Sequence, residues 1–201
     1  MKDPWKGKLI GIWYDNHPHW VVDHGCYSIT LRCRGTLPFR VRSQLQEIGE
    51  SLREIDPADA HAEALRRRHF AILDRTLDSG KGPLPFTSKT AEQLHDWIQA
   101  YSADDLSFAH WVIMPNHWHL LTKPVSFESI NQFQTTWRRF KARAARTTNQ
   151  IIGESGTFWQ NSFYDRWVRN EVEYHRWVEY FRNNPVKANL VKDADAYPYL
   201  Q

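Results

Sequence analysis

HWVIMPNHWHLLTKP, residues 110–124, sets two apolar arms on either side of Met114-Pro115-Asn116. Pro115 has no N–H to give to a strand ladder, and Pro followed by Asn favours a turn. The stretch therefore predicts a hairpin: a strand from Leu106 to Ile113, a turn, and a second strand from His117 to Lys123 that closes at Pro124. Side chains alternate along a strand, so His117 and His119 project from one face while Trp118 points to the other. Two imidazoles so placed at the mouth of a turn form a clamp for a divalent cation. H-x-H also occurs as an ordinary pair of polar-face histidines, and the spacing alone leaves both readings open.

Working outward, CYSITLRCR (Cys26 to Arg34) alternates Tyr27, Ile29, Leu31 and Cys33 with polar neighbours, the period of a half-buried strand that ends at GTLP. Leu45, Ile48, Leu52 and Ile55 are spaced by three and four, DPAD interrupts, and AHAEALRRRHFAILDRTL resumes the helical pattern. These segments read as a helical insertion over about 41–80. DSGKGPLPF is a loop, and Ser88 is the expected cap of a helix in SKTAEQLHDWIQAYS. Beyond Pro124, Ser126 is the expected cap of a helix whose apolar stripe is Ile130, Phe133, Trp137, Phe140 and Ala144. FYDRWVR (Phe163 to Arg169) is a further strand. NEVEYHRWVEYFRNNP is a last helix opened by Asn170, with Glu173 at the capping-box position, and stopped by Pro185. This order predicts an α+β fold: a ferredoxin-like antiparallel sheet with helices on one face, plus a helical insertion and a C-terminal helix.

The 201 residues suit a single domain spanning 1–201. Lys and Arg number 26 against 23 acidic residues, so the placement of charge matters more than its net value of +3. From Ser129 to Gly153 there is no acidic residue, while Arg138, Arg139, Lys141, Arg143 and Arg146 crowd the polar side of the expected helix. Such a run is commonly a solvated face; it also suits phosphate neutralisation, with Arg166, Arg169 and Lys187 as extensions of the path. The two cysteines, Cys26 and Cys33, have no disulfide-framework or metal spacing and read as reduced thiols. No apolar run approaches the ~18 residues of a membrane helix, and the N-terminal stretch lacks a signal-peptide core, so a cytoplasmic location without membrane partners is expected. Ten tryptophans and eight tyrosines read mainly as core, with stacking platforms for bases as a further use.

Three blocks, PHWVVDHGCYSITLRCRGTLP, HWVIMPNHWHLLTKP with its following basic helix, and FWQNSFYDRWVRNEVEYHRWVEYFRNNPVKANLV, occur in an order that resembles the REP-associated tyrosine transposases, a branch of the single-tyrosine HUH endonuclease class. The resemblance covers most of residues 18–199 and is weakest over 41–80. It implies that His117 and His119 bind Mg²⁺ or Mn²⁺, and that a tyrosine in a Y-I-x-x-N-P-V-K block attacks a phosphodiester of single-stranded DNA. That block is here Tyr180-Phe181-Arg182-Asn183-Asn184-Pro185-Val186-Lys187. The resemblance makes Tyr180 the nucleophile, Asn184 the third metal ligand, REP-like palindromic hairpins the partner, and a monomer or homodimer the state. Phe181 replaces the usual Ile, and Trp118 replaces a smaller hydrophobe between the histidines.

The residues are compatible with that chemistry. The apolar stripe of the last helix runs through Tyr174, Trp177, Val178 and Phe181, which leaves Tyr180 roughly 110° away on the flank. A phenol is a poor nucleophile at neutral pH, and a cation beside the scissile phosphate is the help it needs. Attack leaves a 5′-phosphotyrosine and a free 3′-hydroxyl, which can reverse the step on another strand. Tyr174 and Tyr164 are rival nucleophiles that read as packing residues. A non-catalytic hairpin-binding protein derived from a transposase is the alternative, and a metal hydrolase using water ranks last because no carboxylate lies near the pair in sequence.

Overall fold

The computed structural model describes residues 3–80, 82–103 and 106–201. Along the chain lie β1 (Lys8–Tyr14), β2 (Pro18–Asp23), β3 (Cys26–Arg32), α1 (Phe39–Glu54), α2 (Ala60–Asp78), α3 (Ser88–Gln99), β4 (Phe108–Met114), β5 (His117–Thr122), α4 (Ile130–Ile152), β6 (Tyr164–Val168) and α5 (Glu171–Lys187). β4, β5, β3 and β6 form an antiparallel sheet in that spatial order, and β1 pairs with β2 in a separate ribbon. The fold is α+β, as the element order predicts.

The hairpin turns at Pro115-Asn116, with Met114 opposite His117 and Val112 opposite His119. Its register fixes which side chains share a face. Trp111, Ile113, Trp118 and Leu120 join Tyr27, Ile29 and Leu31 against α3 and α4, whose Leu94, Ile98, Phe133, Trp137 and Phe140 complete the main core. On the other face Val112, Met114, Leu121 and Val168 receive Phe181 of α5. Leu73 and Leu77 of α2 and Leu45 of α1 pack beside them with Tyr164. The insertion is thus two helices laid on the face that carries His117 and His119.

Several boundaries differ from expectation. The expected strand at Cys26 is preceded in its block by another: β2 turns through His24, at a φ of 57°, and Gly25 into β3. Thr87, not Ser88, caps α3 by accepting from Thr90 N. Ser129, not Ser126, caps α4 by accepting from Gln132 N at 3.1 Å. Val125 N still donates to Gly25 O at 3.0 Å, so the chain is still bridged to the start of β3 one residue before Ser126. Asn170 does cap α5, its side chain accepting from Glu173 N at 2.8 Å. Pro185 does not stop that helix, which runs on to Lys187. A proline removes one ladder donor, but Ala188 N still reaches Asn184 O at 2.9 Å and Leu190 N reaches Pro185 O at 2.9 Å. Asn184 is therefore helical and lies one turn beyond Tyr180 on the same side.

Candidate active site and a second histidine cluster

β5 delivers His117 and His119 side by side, with Nε2 atoms 3.0 Å apart and the residues 1% and 0% exposed. Their other nitrogens are spoken for. Asn116 donates through Nδ2 to Leu77 O at 3.1 Å, which turns its Oδ1 toward His117 Nδ1 at 2.6 Å. Thr30 Oγ1, opposite on β3, lies 2.9 Å from His119 Nδ1. Burial pushes His117 well below the usual imidazole range and His119 down to about 3, so both rings are neutral. With Asn116 and Thr30 taking the Nδ1 protons, two lone pairs face each other. Adjacent ligands of an octahedral ion with bonds of about 2.1 Å lie about 3.0 Å apart, so the pair fits a small divalent cation. Asn184, fully buried, leaves both amide atoms without a hydrogen-bond partner among the described residues, and a metal ion is the partner that would satisfy its oxygen.

Tyr180 meets this pair: its hydroxyl lies 3.3 Å from His119 Nε2 and hydrogen-bonds to Asp74 Oδ1. Burial, then the Asp74 charge and hydrogen bond, push the phenol far above its ordinary value. Asp74 comes from α2, in the insertion, and its Oδ2 accepts from Lys187 Nζ at 2.5 Å. Lys187 also pairs with Asp78 at 2.9 Å. Burial alone would lower the Lys187 ammonium, yet these carboxylates hold it above its usual value. Two ion pairs thus fasten α5 to α2 over the histidines. Sequence spacing gives no hint of Asp74 or Asp78, because only the packing of the insertion brings them here.

The remaining basic residues lie elsewhere. α4 packs on the sheet face opposite the histidines, with Arg138, Arg139, Arg143 and Arg146 exposed. Arg143 Nη1 donates to the Tyr101 hydroxyl at 3.1 Å, and Lys141 Nζ is held by Gln160 O at 2.6 Å and by Asn161 O. A groove of about 530 Å³ opens between α4 and the segment before β6, lined by Trp13, Arg138, Lys141, Phe158 and Trp159. Arg166 is neutralised by Glu63 and Glu173, each at 2.9 Å, and Arg169 lies over the rings of Trp20 and Trp167. Of the rival phenols, Tyr164 is buried against His17 and Phe70, and Tyr174 packs on Trp5 and His110.

A second cluster stands at the β6 edge. Asp15, His17 and His19 bring one ligand atom each within 4.8 Å of one another, a group able to hold a metal ion. Sequence reasoning missed it, although His17-Pro18-His19 repeats the H-x-H spacing of the hairpin.

A neutral histidine pair on an antiparallel sheet beside a tyrosine of the last helix is the arrangement implied by the resemblance to the single-tyrosine HUH class. Comparison with known proteins leads more narrowly to the REP-associated tyrosine transposases. One such protein from Escherichia coli K12 is 30% identical over 90 residues, which make up 44% of this chain and 50% of the relative, so the match spans half of that relative's length. A solved structure of a REP-associated tyrosine transposase bound to a REP hairpin shares the fold, with a TM-score of 0.50 at 16% identity over 90% of this chain and 79% of the other. No protein-family model matches the sequence. No described helix is long and apolar enough to cross a membrane.

Proposed function

We propose that the chain is a REP-associated tyrosine transposase that binds single-stranded hairpin DNA and cleaves and rejoins it through Tyr180. The observation that carries this reading is the Tyr180 hydroxyl, 3.3 Å from His119 Nε2 and hydrogen-bonded to Asp74. A Mg²⁺ or Mn²⁺ ion held by His117, His119 and Asn184 would polarise the scissile phosphate and offset its charge. The Tyr180 oxygen attacks phosphorus, the bond to the 3′-oxygen breaks, and the phenol proton passes to Asp74 while the leaving oxygen is protonated to a 3′-hydroxyl. Attack by another 3′-hydroxyl on the phosphotyrosine reverses the step and joins strands.

Lys187 couples entry to activation. An incoming phosphate competes with Asp74 for the ammonium, as befits the DNA contact expected of Lys187. Asp74, released from that ion pair, is left to the Tyr180 hydroxyl. The same competition parts α2 from α5 and opens the buried pair. The groove beside Arg138 and Trp159 suits a stacked base and its phosphate, and the exposed cations of α4 suit the hairpin stem. Because Tyr180 reaches His119 within one chain, cleavage needs no exchange of the tyrosine helix with a partner.

The test is covalent capture of a hairpin oligonucleotide, its sequence copied from inverted repeats flanking the gene, with Mn²⁺ present. Wild-type protein yields an adduct stable to denaturation, and Tyr180→Phe yields none while still shifting the hairpin. An adduct with Tyr180→Phe would move the nucleophile elsewhere. Hairpin binding by the wild type without cleavage, under Mg²⁺ or Mn²⁺, would leave a binding protein only.

A further inference from the structure

We infer that Asp15, His17 and His19 form a second metal site, of the kind that takes Zn²⁺, which pins the β1–β2 ribbon to β6 and takes no part in strand transfer. Such a site is independent of whether Tyr180 is the nucleophile.

Asp165, on β6, organises the cluster from behind; it is buried, with a side chain 1% exposed. Its Oδ1 lies 3.2 Å from His17 Nε2 and 2.5 Å from His19 Nδ1. One carboxylate oxygen accepts from both rings, which places the proton of His17 on Nε2 and one proton of His19 on Nδ1. The opposite nitrogens, His17 Nδ1 and His19 Nε2, then face forward. Those two atoms lie 3.7 Å and 2.9 Å from a single oxygen, Asp15 Oδ1. A dication would sit among three converging donors. Adjacent ligands of a tetrahedral ion with bonds of 2.0–2.1 Å are about 3.3 Å apart, and the two observed separations bracket that edge.

The surroundings are those of a built site. A carboxylate on the far nitrogen of each ligating imidazole orients the ring and raises its donor strength, and here one carboxylate serves both. Trp13 stacks on His19 with centroids 4.4 Å apart, Tyr164 stacks on His17 at 5.2 Å, and Phe163 lies 5.1 Å from His19. Ring faces are thus walled by aromatics while ring edges carry the donors. Asp165 Oδ2 is buried without a hydrogen-bond partner among the described residues, so one anionic oxygen behind the rings still lacks a positive neighbour. A dication supplies it. Two nitrogens and one carboxylate oxygen in an aromatic shell suit Zn²⁺ better than Mg²⁺, which favours oxygen and water.

What the site does follows from where its ligands come from. Asp15, His17 and His19 belong to the turn and second strand of a ribbon that, among the described residues, shares no strand pairing with the main sheet, whereas Asp165 belongs to that sheet. All three ligands come from the ribbon, and an ion there would be tied to the sheet through Asp165, whose oxygen holds both ligating rings.

The experiment separates this site from the β5 pair. A His117→Ala, His119→Ala double variant, stripped of metal, is titrated with ZnCl₂; bound metal is counted after desalting, and thermal unfolding is followed. One Zn²⁺ per chain and a rise in Tm are expected. In the same background Asp165→Asn, which leaves all three ligands in place, weakens Zn²⁺ binding about 10–100-fold. Asp15→Asn, whose side chain is partly exposed and least able to perturb folding, weakens it at least about tenfold by removing the anionic ligand. Failure of the double variant to retain Zn²⁺, or equal affinity with Asp15→Asn, overturns the site and leaves a histidine–carboxylate network without an ion. A Co²⁺ visible spectrum of the unsubstituted chain gives a second reading that needs no double variant: bands abolished by Asp15→Asn support the site, and bands indifferent to it overturn the assignment.

Discussion

His117-x-His119 and His17-x-His19 share a spacing and differ in every neighbour. The first pair has its Nδ1 atoms turned to neutral groups, Asn116 and Thr30, and its Nε2 atoms turned to each other, that of His119 also to a phenol. The second has carboxylates on both sides, Asp165 behind the rings and Asp15 in front. Negative charge comes to the first site from Asp74, which hydrogen-bonds to Tyr180, one step removed from the imidazoles. It reaches the second directly, as ligand and orienting group. Strand alternation produces a pair of imidazoles in either case. What the next elements supply, α5 and α2 in one and a turn and β6 in the other, decides whether the pair suits a reacting phosphate or a closed structural ion.

The largest effect expected from breaking this contrast comes from exchanging the same substitution between the pairs. His119→Ala removes the proposed ligand beside the proposed nucleophile and should lower the rate of covalent capture by about 10²-fold or more, the consequence of losing several kcal/mol of phosphate stabilisation. His19→Ala should leave the rate per folded molecule unchanged and lower Tm instead. Capture kinetics together with thermal unfolding check both; a rate defect in His19→Ala would merge the two sites into one function. Of comparable size is Asp74→Asn, which keeps the contact to Tyr180 but cannot take its proton. Capture should fall about 10²–10⁴-fold, and the deficit should shrink as pH rises and solvent base substitutes. A uniform deficit across pH would reduce Asp74 to a positioning residue.

The unequal legibility of the two sites has a physical origin. The β5 pair is readable because Pro115-Asn116 fixes a turn, the turn fixes register, and register fixes faces. Tyr180 and Asn184 are readable as an i, i+4 pair, and Pro185 threatens that reading only through a local rule, applied where the helix loses one donor near its end. Ser88 and Ser126 are the caps that the same local reasoning selects, and tertiary pairing moves both starts. Asp74 is invisible: nothing in AILDRTL distinguishes its aspartate until α2 lies against α5. Asp165 is hidden because its partners sit on a ribbon that the alternation of a single strand does not disclose. Strand alternation finds donors, while charge partners arrive from non-local packing.

Trp118 sharpens the comparison from the other side of β5. It is fully buried between the two histidines in sequence but among Phe86, Trp97 and Trp159 in space. Trp118→Ala should cost about 3–5 kcal/mol of stability. Capture per folded molecule should persist, since the face that carries the histidines is left intact. Denaturant unfolding alongside capture separates the two; a rate loss exceeding the loss of folded protein would show that the two faces are coupled.

The smallest effects belong to the cations of α4, and here the structure separates residues that sequence groups together. Arg138 is exposed, whereas the Lys141 ammonium is held by two backbone carbonyls and burial pulls it down to about 8. Arg138→Gln should lower the dependence of hairpin binding on salt by about one unit of slope and weaken binding evenly across sequences. Lys141→Gln should change the slope by less at pH 7 and by almost nothing at pH 9, where most of that residue is already neutral. Its stability effect carries the opposite emphasis. A lysine with a depressed native value is bound to its proton more tightly in the unfolded chain, so its contribution to stability is present above 10.5 and is lost as pH falls through about 8. Lys141→Gln should therefore stabilise most below pH 8, just where it costs hairpin affinity, and measuring Tm and the salt slope at pH 7 and pH 9 tests both signs. Equal slopes for Lys141→Gln at the two pH values would mean that this ammonium leaves its carbonyls and meets phosphate as freely as Arg138 does.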